Sequence, residues 1–460
     1  SCMMVLTAMG AVIIGELTEA ASFAALTLVT GLVGIIFVAM TRNTPGKESN
    51  TDALAFLLIF WLVMPIVFAV PYLFLVPGLH PYTAYFEAVS AVTTTGASTL
   101  DPESLSGSLH IWRSFLQWMG GVTAATFAVV ILAALNLRGT GVHRSILFTL
   151  RKGELFERLT GIGRVITLIY AGISFLCFAC LILNGTPVFD AFCLSLTSVS
   201  TGGLTPRGDV LASYVNPVGA FALAVCCVLG ALNVAVLWDG FRLRNWRSTL
   251  AIFRDVEFRA LMVLFSVLVV AGFFYTGHMH VFTILMEAAF FVSSAGFDYH
   301  VIGIDMLPPI VLIAIALVGG SALSTAGGVK LIRMLLLFRH LETDLGRLTH
   351  PSRTIPVMFR GQILPDQAFL SLWMYFFGYT MVFAFGILGL SLHGMDYQIA
   401  VATSAASLGN MGPLLDTTLP DYSYAAFSIP QQMISAVLML MGRVEVLGAF
   451  AIVSPGLWRS

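Results

Sequence analysis

Long apolar stretches separated by short polar loops recur along this chain in a fixed order. The residues before about Met40 give one or two hydrophobic segments, followed by a polar loop from Thr41 to Thr51. A four-part pattern begins at Asp52. It has a long apolar segment to about Val76, a short one over Pro81–Thr93, a glycine-containing loop, and a second long segment over about His110–Leu135. The order returns as Gly161–Leu183, Pro187–Val199, a loop and Val215–Trp238, then as Phe258–Tyr275, His278–Ser293, a loop and Leu307–Phe338. Its last copy is Phe369–Leu392, Met395–Ala406, a loop and Tyr424–Val453. Apolar runs of roughly 20 residues without strict alternation predict membrane-spanning helices. The short segments are too brief to cross. The predicted fold is an all-α membrane protein: N-terminal extra segments over 1–51, then four units at 52–138, 139–241, 242–340 and 341–460.

Composition agrees with a lipid environment. Hydrophobic residues make up 58% of the 460 and charged residues only 10%, whereas a soluble domain carries about 25% charged residues. Charge placement then sets orientation. Of 23 Lys and Arg, all but Arg113, Arg207 and Arg443 fall in or beside one set of loops. These are Arg42 and Lys47, the clusters Arg138–Arg164, Arg242–Arg259 and Lys330–Arg360, and Arg459. Basic loops face the cytoplasm, and topology accounts for them without nucleic acid. The opposite loops carry Asp101, Glu103, Asp209, Asp298, Asp305, Asp416 and Asp421. Each unit therefore starts and ends inside, and each short helix enters from outside and returns. Cys177 and Cys180 form a Cys-x-x-Cys pair, but within an apolar run, where small buried residues are expected and not a redox or metal site. The chain begins on Ser1 with little basic flank, so no secretory signal is read and the first helix is expected to be incomplete.

The candidate chemistry lies in the four loops. They read Thr94-Thr95-Gly96-Ala97-Ser98, Ser200-Thr201-Gly202-Gly203-Leu204, Ser294-Ala295-Gly296-Phe297-Asp298 and Ser407-Leu408-Gly409-Asn410-Met411. Non-helical backbone at membrane depth is tolerated only where protein buries it or water meets it. Four such loops converging on one axis would present backbone carbonyls able to replace a cation's hydration shell. The short helices would aim their negative C-terminal ends at the same place.

With these loops the chain resembles the TrkH/KtrB superfamily of bacterial potassium transporters, from about Asp52 onward. The resemblance is also carried by Gly319-Gly320-Ser321-Ala322-Leu323-Ser324-Thr325-Ala326-Gly327-Gly328-Val329-Lys330, by Met441-Gly442-Arg443-Val444-Glu445, and by Gly409-Asn410-Met411-Gly412-Pro413. It implies a pseudo-fourfold pore in one chain, potassium as the transported ion, and a bacterial inner-membrane location. It implies Gly96, Gly202, Gly296 and Gly409 as filter glycines, with Thr94, Thr95, Ser200, Thr201, Ser294, Ala295, Ser407 and Leu408 beside them. Some sodium-permeable plant relatives have serine at the first glycine; glycine at all four favours potassium. Ala295 and Leu408 stand where the first two loops have Thr95 and Thr201, so a hydroxyl-lined inner site is expected to be asymmetric.

Gly319, Gly320, Ser321, Ser324, Thr325, Gly327, Gly328 and Lys330 interrupt a predicted helix, since each helical glycine costs about 1 kcal/mol. Their small residues suit close helix packing; the resemblance implies a flexible gate below the filter. Arg443 lies in an apolar stretch, where it needs water or a partner. It is expected either to bond loop carbonyls or, as the resemblance implies, to act as part of the gating barrier. Glu87 and Glu287, nine residues before Gly96 and Gly296, and Asp190 and Asp396 near the starts of the other short helices are read as hydrogen-bonding groups behind the loops or as cation attractors. No P-loop and no Gly-x-Gly-x-x-Gly after a strand occurs. Nucleotide is therefore expected only on a partner, and the resemblance implies a homodimer with a cytoplasmic TrkA-like regulatory ring. A symporter coupled to protons or sodium is the alternative. A membrane-embedded enzyme would need convergent His, Asp or Glu ligands, and the nine histidines sit mainly near helix ends.

Overall fold

The computed structural model describes residues 1–42, 50–134, 155–242, 253, 255–276, 281–300, 304–349, 358–359, 362–363 and 366–444. Glu445 and much of the basic loops, including Lys47 and Arg459, lie outside them.

The helices follow the predicted order. Cys2–Ile14 and Leu17–Thr41 form an N-terminal hairpin turned at Gly15. Each unit then has an outer helix, a short helix and an inner helix. These are Asn50–Leu75, Pro81–Val92 and Gly107–Ala134 in the first unit, and Leu155–Leu183, Val188–Val199 and Pro217–Ala231 in the second. They are Val256–Thr276, Val281–Val292 and Pro309–Val318 in the third, and Asp366–Leu392, Tyr397–Leu408 and Ile429–Arg443 in the fourth. Local chemistry sets several starts. Proline opens the Pro81, Pro217 and Pro309 helices, where the missing N–H costs nothing. Asn216 caps Gly219 N–H, and Ser428 with Gln431 forms a capping box, each contributing about 1 kcal/mol. The only strands among the described residues are Met358–Phe359 and Gln362–Ile363, a minimal antiparallel pair.

Two inner helices are broken. The second unit's stops at Ala231 and resumes as Val234–Arg242, a break the apolar run Val215–Trp238 did not predict. Asn233 makes it: its side chain accepts the Ala235 N–H, competing with the helix backbone. The third unit's stops at Val318 and resumes as Leu331–Thr349, across the glycine-rich stretch where an interruption was expected.

The short helices sit at the centre. Every residue of Glu87–Val92, Cys193–Val199, Met286–Val292 and Ala402–Leu408 is buried. Each packs on its own outer and inner helices and on the inner helix of the preceding unit. Gly107–Ala134 meets Val188–Val199, Pro217–Ala231 meets Val281–Val292, Pro309–Val318 meets Tyr397–Leu408, and Ile429–Arg443 returns to Pro81–Val92. That pattern closes a ring. The outer helices and Leu17–Thr41 are long and apolar enough to cross a membrane. They leave Phe175, Phe274, Phe377 and Phe385 exposed, as a lipid-facing surface requires. The N-terminal hairpin is tied in through Glu16, whose carboxylate accepts the Gly107 and Ser108 N–H groups.

Candidate ion pathway

Backbone hydrogen bonds fix how the four loops correspond. At the end of each short helix one residue donates its N–H to the carbonyl three residues back: Thr94 to Ala91, Thr201 to Ser198, Ser294 to Phe291 and Asn410 to Ser407. The same four residues have φ of 52°, 51°, 62° and 49°. The next residue reaches five back in three loops: Thr95 to Ser90, Gly202 to Thr197 and Met411 to Ala406. Two residues after the left-handed one come Gly96, Gly203, Gly296 and Gly412, the first three with φ of 80°, 76° and 63°.

This register differs from the one the resemblance implied. Gly203 and Gly412, not Gly202 and Gly409, correspond to Gly96 and Gly296. Gly409 is the C-cap of its helix, and Ser407 and Leu408 are its last helical residues. Ser200 is likewise a cap. The expected asymmetry of side chains also changes. The inner position is Thr94, Thr201, Ser294 and Asn410, polar in every unit, and the next is Thr95, Gly202, Ala295 and Met411.

The loops meet in sequence around a closed circuit. A Cβ on Gly96 would lie 2.1 Å from the Gly202 carbonyl oxygen, and one on Gly203 2.3 Å from that of Ala295. One on Gly296 would lie 2.8 Å from Pro413 Cβ, and one on Gly412 2.3 Å from Ala97 N. Gly412 N–H donates to the Thr95 carbonyl at 2.6 Å, joining the fourth loop to the first. Glycine is needed at this position because neighbouring backbone, or the Pro413 ring at Gly296, occupies the space of a side chain, in addition to the positive φ in three loops.

The Gly319–Lys330 segment packs against the second, third and fourth loops and is bridged to the first. Thr201 Oγ1 donates to Thr325 Oγ1 at 3.0 Å, and Gly327 N–H donates to Ser294 Oγ at 3.3 Å. A Cβ on Gly327 would overlap the Gly409 carbonyl. Arg443 supplies the link to the first loop: its guanidinium donates to the Thr93 carbonyl, to Thr94 Oγ1 and to the Thr325 carbonyl. Within the segment, Lys330 has φ 79°. Its ammonium donates to the Ser324 carbonyl at 3.2 Å and to that of Ala326. Ser324 Oγ donates to the Ser321 carbonyl. Gly320 and Gly328 lie within this tight packing, Gly328 against the backbone of Gly319.

Carboxylates hold the outward limbs. Glu87 accepts from Thr99 N–H at 2.6 Å and from the Ser98 and Thr99 hydroxyls, with Arg113 at 3.9 Å. Asp190 pairs with Arg207 at 2.6 Å. Glu287 accepts the His300 and Ile304 N–H groups. Asp396 is the N-cap residue of the fourth short helix and makes no side-chain cap bond. Beside the third loop a cavity of about 200 Å³ is lined by Glu287, Gly296, Asp298, His300, Asp305 and Asp416. Burial pushes the Asp298 carboxyl up to about 6 and that of Asp416 up to about 7, with the neighbouring Asp305 and Asp298 charges adding to each respectively.

Gln117, Glu257 and Asn233 escaped the sequence reading, and Asn410 was quoted in the fourth loop without a role of its own. Gln117 Nε2 donates to the Gly202 carbonyl at 2.6 Å, and Asn410 Nδ2 to Thr95 Oγ1 at 3.0 Å. Glu257, fully buried, accepts the Ala322 N–H at 2.8 Å and faces Asn233 Nδ2 at 3.5 Å. Asn233 is a lone polar residue in an apolar run, whereas Glu257 is hidden among the charges of Arg254–Arg259. Among the described residues no three His, Cys, Asp or Glu are placed to hold a metal ion.

An all-helical ring of this kind, under apolar outer helices, is a multi-pass membrane protein, and its family makes it a transporter and not an enzyme. The family model described as "Cation transport protein", TrkH, matches residues 48–455, and the chain belongs to that family. The Trk system potassium uptake protein TrkH of Salmonella typhimurium (strain LT2) is 30% identical over 439 residues, covering 93% of this chain and 90% of the relative. Its Escherichia coli (strain K12) namesake is 29% identical over 430 residues, covering 91% and 88%. The crystal structure of the potassium transporter TrkH from Vibrio parahaemolyticus is similar with a TM-score of 0.85 and 25% identity, over 99% of this chain and 96% of that one.

Proposed function

We propose that this protein takes up potassium across the bacterial inner membrane, through a filter formed by the loops at Gly96, Gly203, Gly296 and Gly412. The observation that carries the reading is the closed circuit of loop contacts, with one irregular segment seated against three loops and tied to the first through Arg443. Ions would shed water against backbone carbonyls and the Thr94, Thr201, Ser294 and Asn410 side chains. An inside-negative potential supplies about 2.3 kcal/mol per charge at 100 mV, enough to drive accumulation. Gly319–Lys330 is the gate, and Arg443 holds it to the loops in a closed arrangement while placing positive charge on the path. Family membership and the names of its relatives support potassium as the ion. A second copy of the chain and a cytoplasmic nucleotide-binding ring of the TrkA type are proposed partners, the ring docking on the basic loops.

Potassium flux into proteoliposomes under an imposed voltage, with internal pH recorded, tests the proposal. Flux that follows voltage without proton movement or a sodium requirement is expected. Flux that needs a proton or sodium gradient would replace the channel-like path with coupled symport.

A further inference from the structure

The four loops are unequal at their second position, and one side chain accounts for it. In the second loop this position is Gly202, whose φ is not positive, so its backbone does not require glycine. The space a side chain would fill is taken by Gln117 from the preceding unit's inner helix. A Cβ on Gly202 would lie 2.3–2.6 Å from the atoms of the Gln117 amide. Gln117 is fully buried, and its Nε2 donates to the Gly202 carbonyl at 2.6 Å. Only the amide nitrogen can face that oxygen, because a carbonyl accepts and does not donate. The amide oxygen is left buried without a hydrogen-bond partner, a costly arrangement that argues for the bond on the other side. No other second-position carbonyl receives a side-chain donor among the described residues. Thr95 takes the backbone N–H of Gly412, and that of Ala295 faces the vacant Cβ direction of Gly203.

We infer that Gln117 is a specificity-determining residue, which holds the Gly202 carbonyl and weakens its field at the ion path. The inference rests on the filter reading above. Ion size is discriminated by how rigidly carbonyls are held or by how strong a field they present. Losing the Gln117 N–H lets the carbonyl move inward and frees its lone pair, and both changes favour the smaller sodium ion.

The test substitutes Gln117→Leu and Gln117→Met, which fill the space without a donor. Voltage-driven potassium and sodium fluxes are compared in proteoliposomes. A net hydrogen bond is worth about 0.5–1.5 kcal/mol, so the potassium-to-sodium flux ratio should fall roughly 2- to 13-fold in both variants. An unchanged ratio, at whatever total flux, overturns the inference. If a variant passes no ion, the readout becomes the thermal stabilisation of detergent-solubilised protein by potassium relative to sodium, which requires no transport. That difference should shrink in the Gln117 variants, and its persistence rejects the assignment. Gly203→Ala, measured in parallel, separates the two levels. If it too keeps the potassium-specific stabilisation, the filter reading fails. If it loses that stabilisation while the Gln117 variants keep it, the Gln117 inference fails alone.

Discussion

Gly203 and Gly409 have different backbone environments, and substitution distinguishes them. A methyl group at Gly203, at φ 76°, would press on the Ala295 carbonyl, and one at Gly412 on the Ala97 N–H. Gly409 is an ordinary helix cap with φ −76°, where a methyl would press on its own helix's Ala405 carbonyl at 2.7 Å and make an ordinary contact with that of Ala316 at 3.5 Å. Gly203→Ala and Gly412→Ala should each lower potassium flux about tenfold or more, the size expected when 1–3 kcal/mol of strain enters the loop. Gly409→Ala should cost less, and a reversed order in the flux assay would restore the register that the resemblance implied. The sequence made glycine loops visible but not their register. Ser200-Thr201-Gly202-Gly203 offers two adjacent glycines, and Gly409 and Gly412 lie three apart; only the backbone bonds choose between them. Arg443 was legible as a charge in an apolar run, but not as a donor to two loops at once. Arg443→Ala removes both the charge and the tie to Thr325, so flux should rise severalfold. Unchanged or lower flux in a folded Arg443→Ala protein counts against a barrier.

The segment proposed as the gate is held in place by its neighbours. Its Ser321 and Thr325 N–H groups donate to the Ala231 and Gly230 carbonyls, and Val234 N–H donates back to the Leu323 carbonyl. The segment is thus strapped to the break in the second unit's inner helix, and Glu257 secures the strap through Ala322. Removing an acceptor from a buried N–H costs about 1–3 kcal/mol. Glu257→Ala should therefore raise potassium flux about fivefold or more and speed amide exchange over 319–330. Glu257→Gln keeps an acceptor and should change both less. Identical exchange in parent and Ala variant would remove Glu257 as a latch. The break at Gly319–Gly328 was readable because glycines oppose helix. The one at Asn233 was not, because a single Asn in an apolar run is compatible with a continuous helix. Gly120, Gly230 and Gly442 were equally silent. Each gives room for the last carbonyl of its own unit's short helix, those of Val92, Val199 and Leu408, at Cβ distances of 1.8, 2.2 and 2.4 Å. That repeated use of an inner-helix glycine joins units whose sequences differ.

At the scale of the whole molecule, the charge asymmetry read from the loops predicts how the outer medium acts on transport. Basic residues mark the cytoplasmic side, and the opposite side gathers Glu287, Asp298, Asp305 and Asp416 with His300 around one cavity. Hydropathy shows only the loops on which these acids lie. Their convergence depends on the third and fourth loops being neighbours in the ring, where Gly296 abuts Pro413. Asp298 and Asp416 carry raised pKa values of about 6 and about 7, chiefly through burial. A raised carboxyl is neutral below its pKa and charged above it, so negative charge at the outer mouth develops as external pH rises through 6 to 7. Negative potential in a low-dielectric cleft concentrates cations. Uptake from dilute potassium should therefore increase between external pH 5.5 and 7.5, through a falling KM and not a rising maximal rate. The increase should diminish as ionic strength approaches about 1 M, where the Debye length is about 3 Å. Asp298→Asn with Asp416→Asn should flatten the profile. The same two carboxyls bear on stability with the opposite sign: folding favours their protonated forms, so their contribution is full below pH 4 and is lost as pH rises through 6 to 7. A thermal scan of the double variant against pH checks this independently of flux, because the Asn protein should lose less stability over that interval. A double variant whose KM still follows external pH as the parent's does would move the pH dependence away from Asp298 and Asp416.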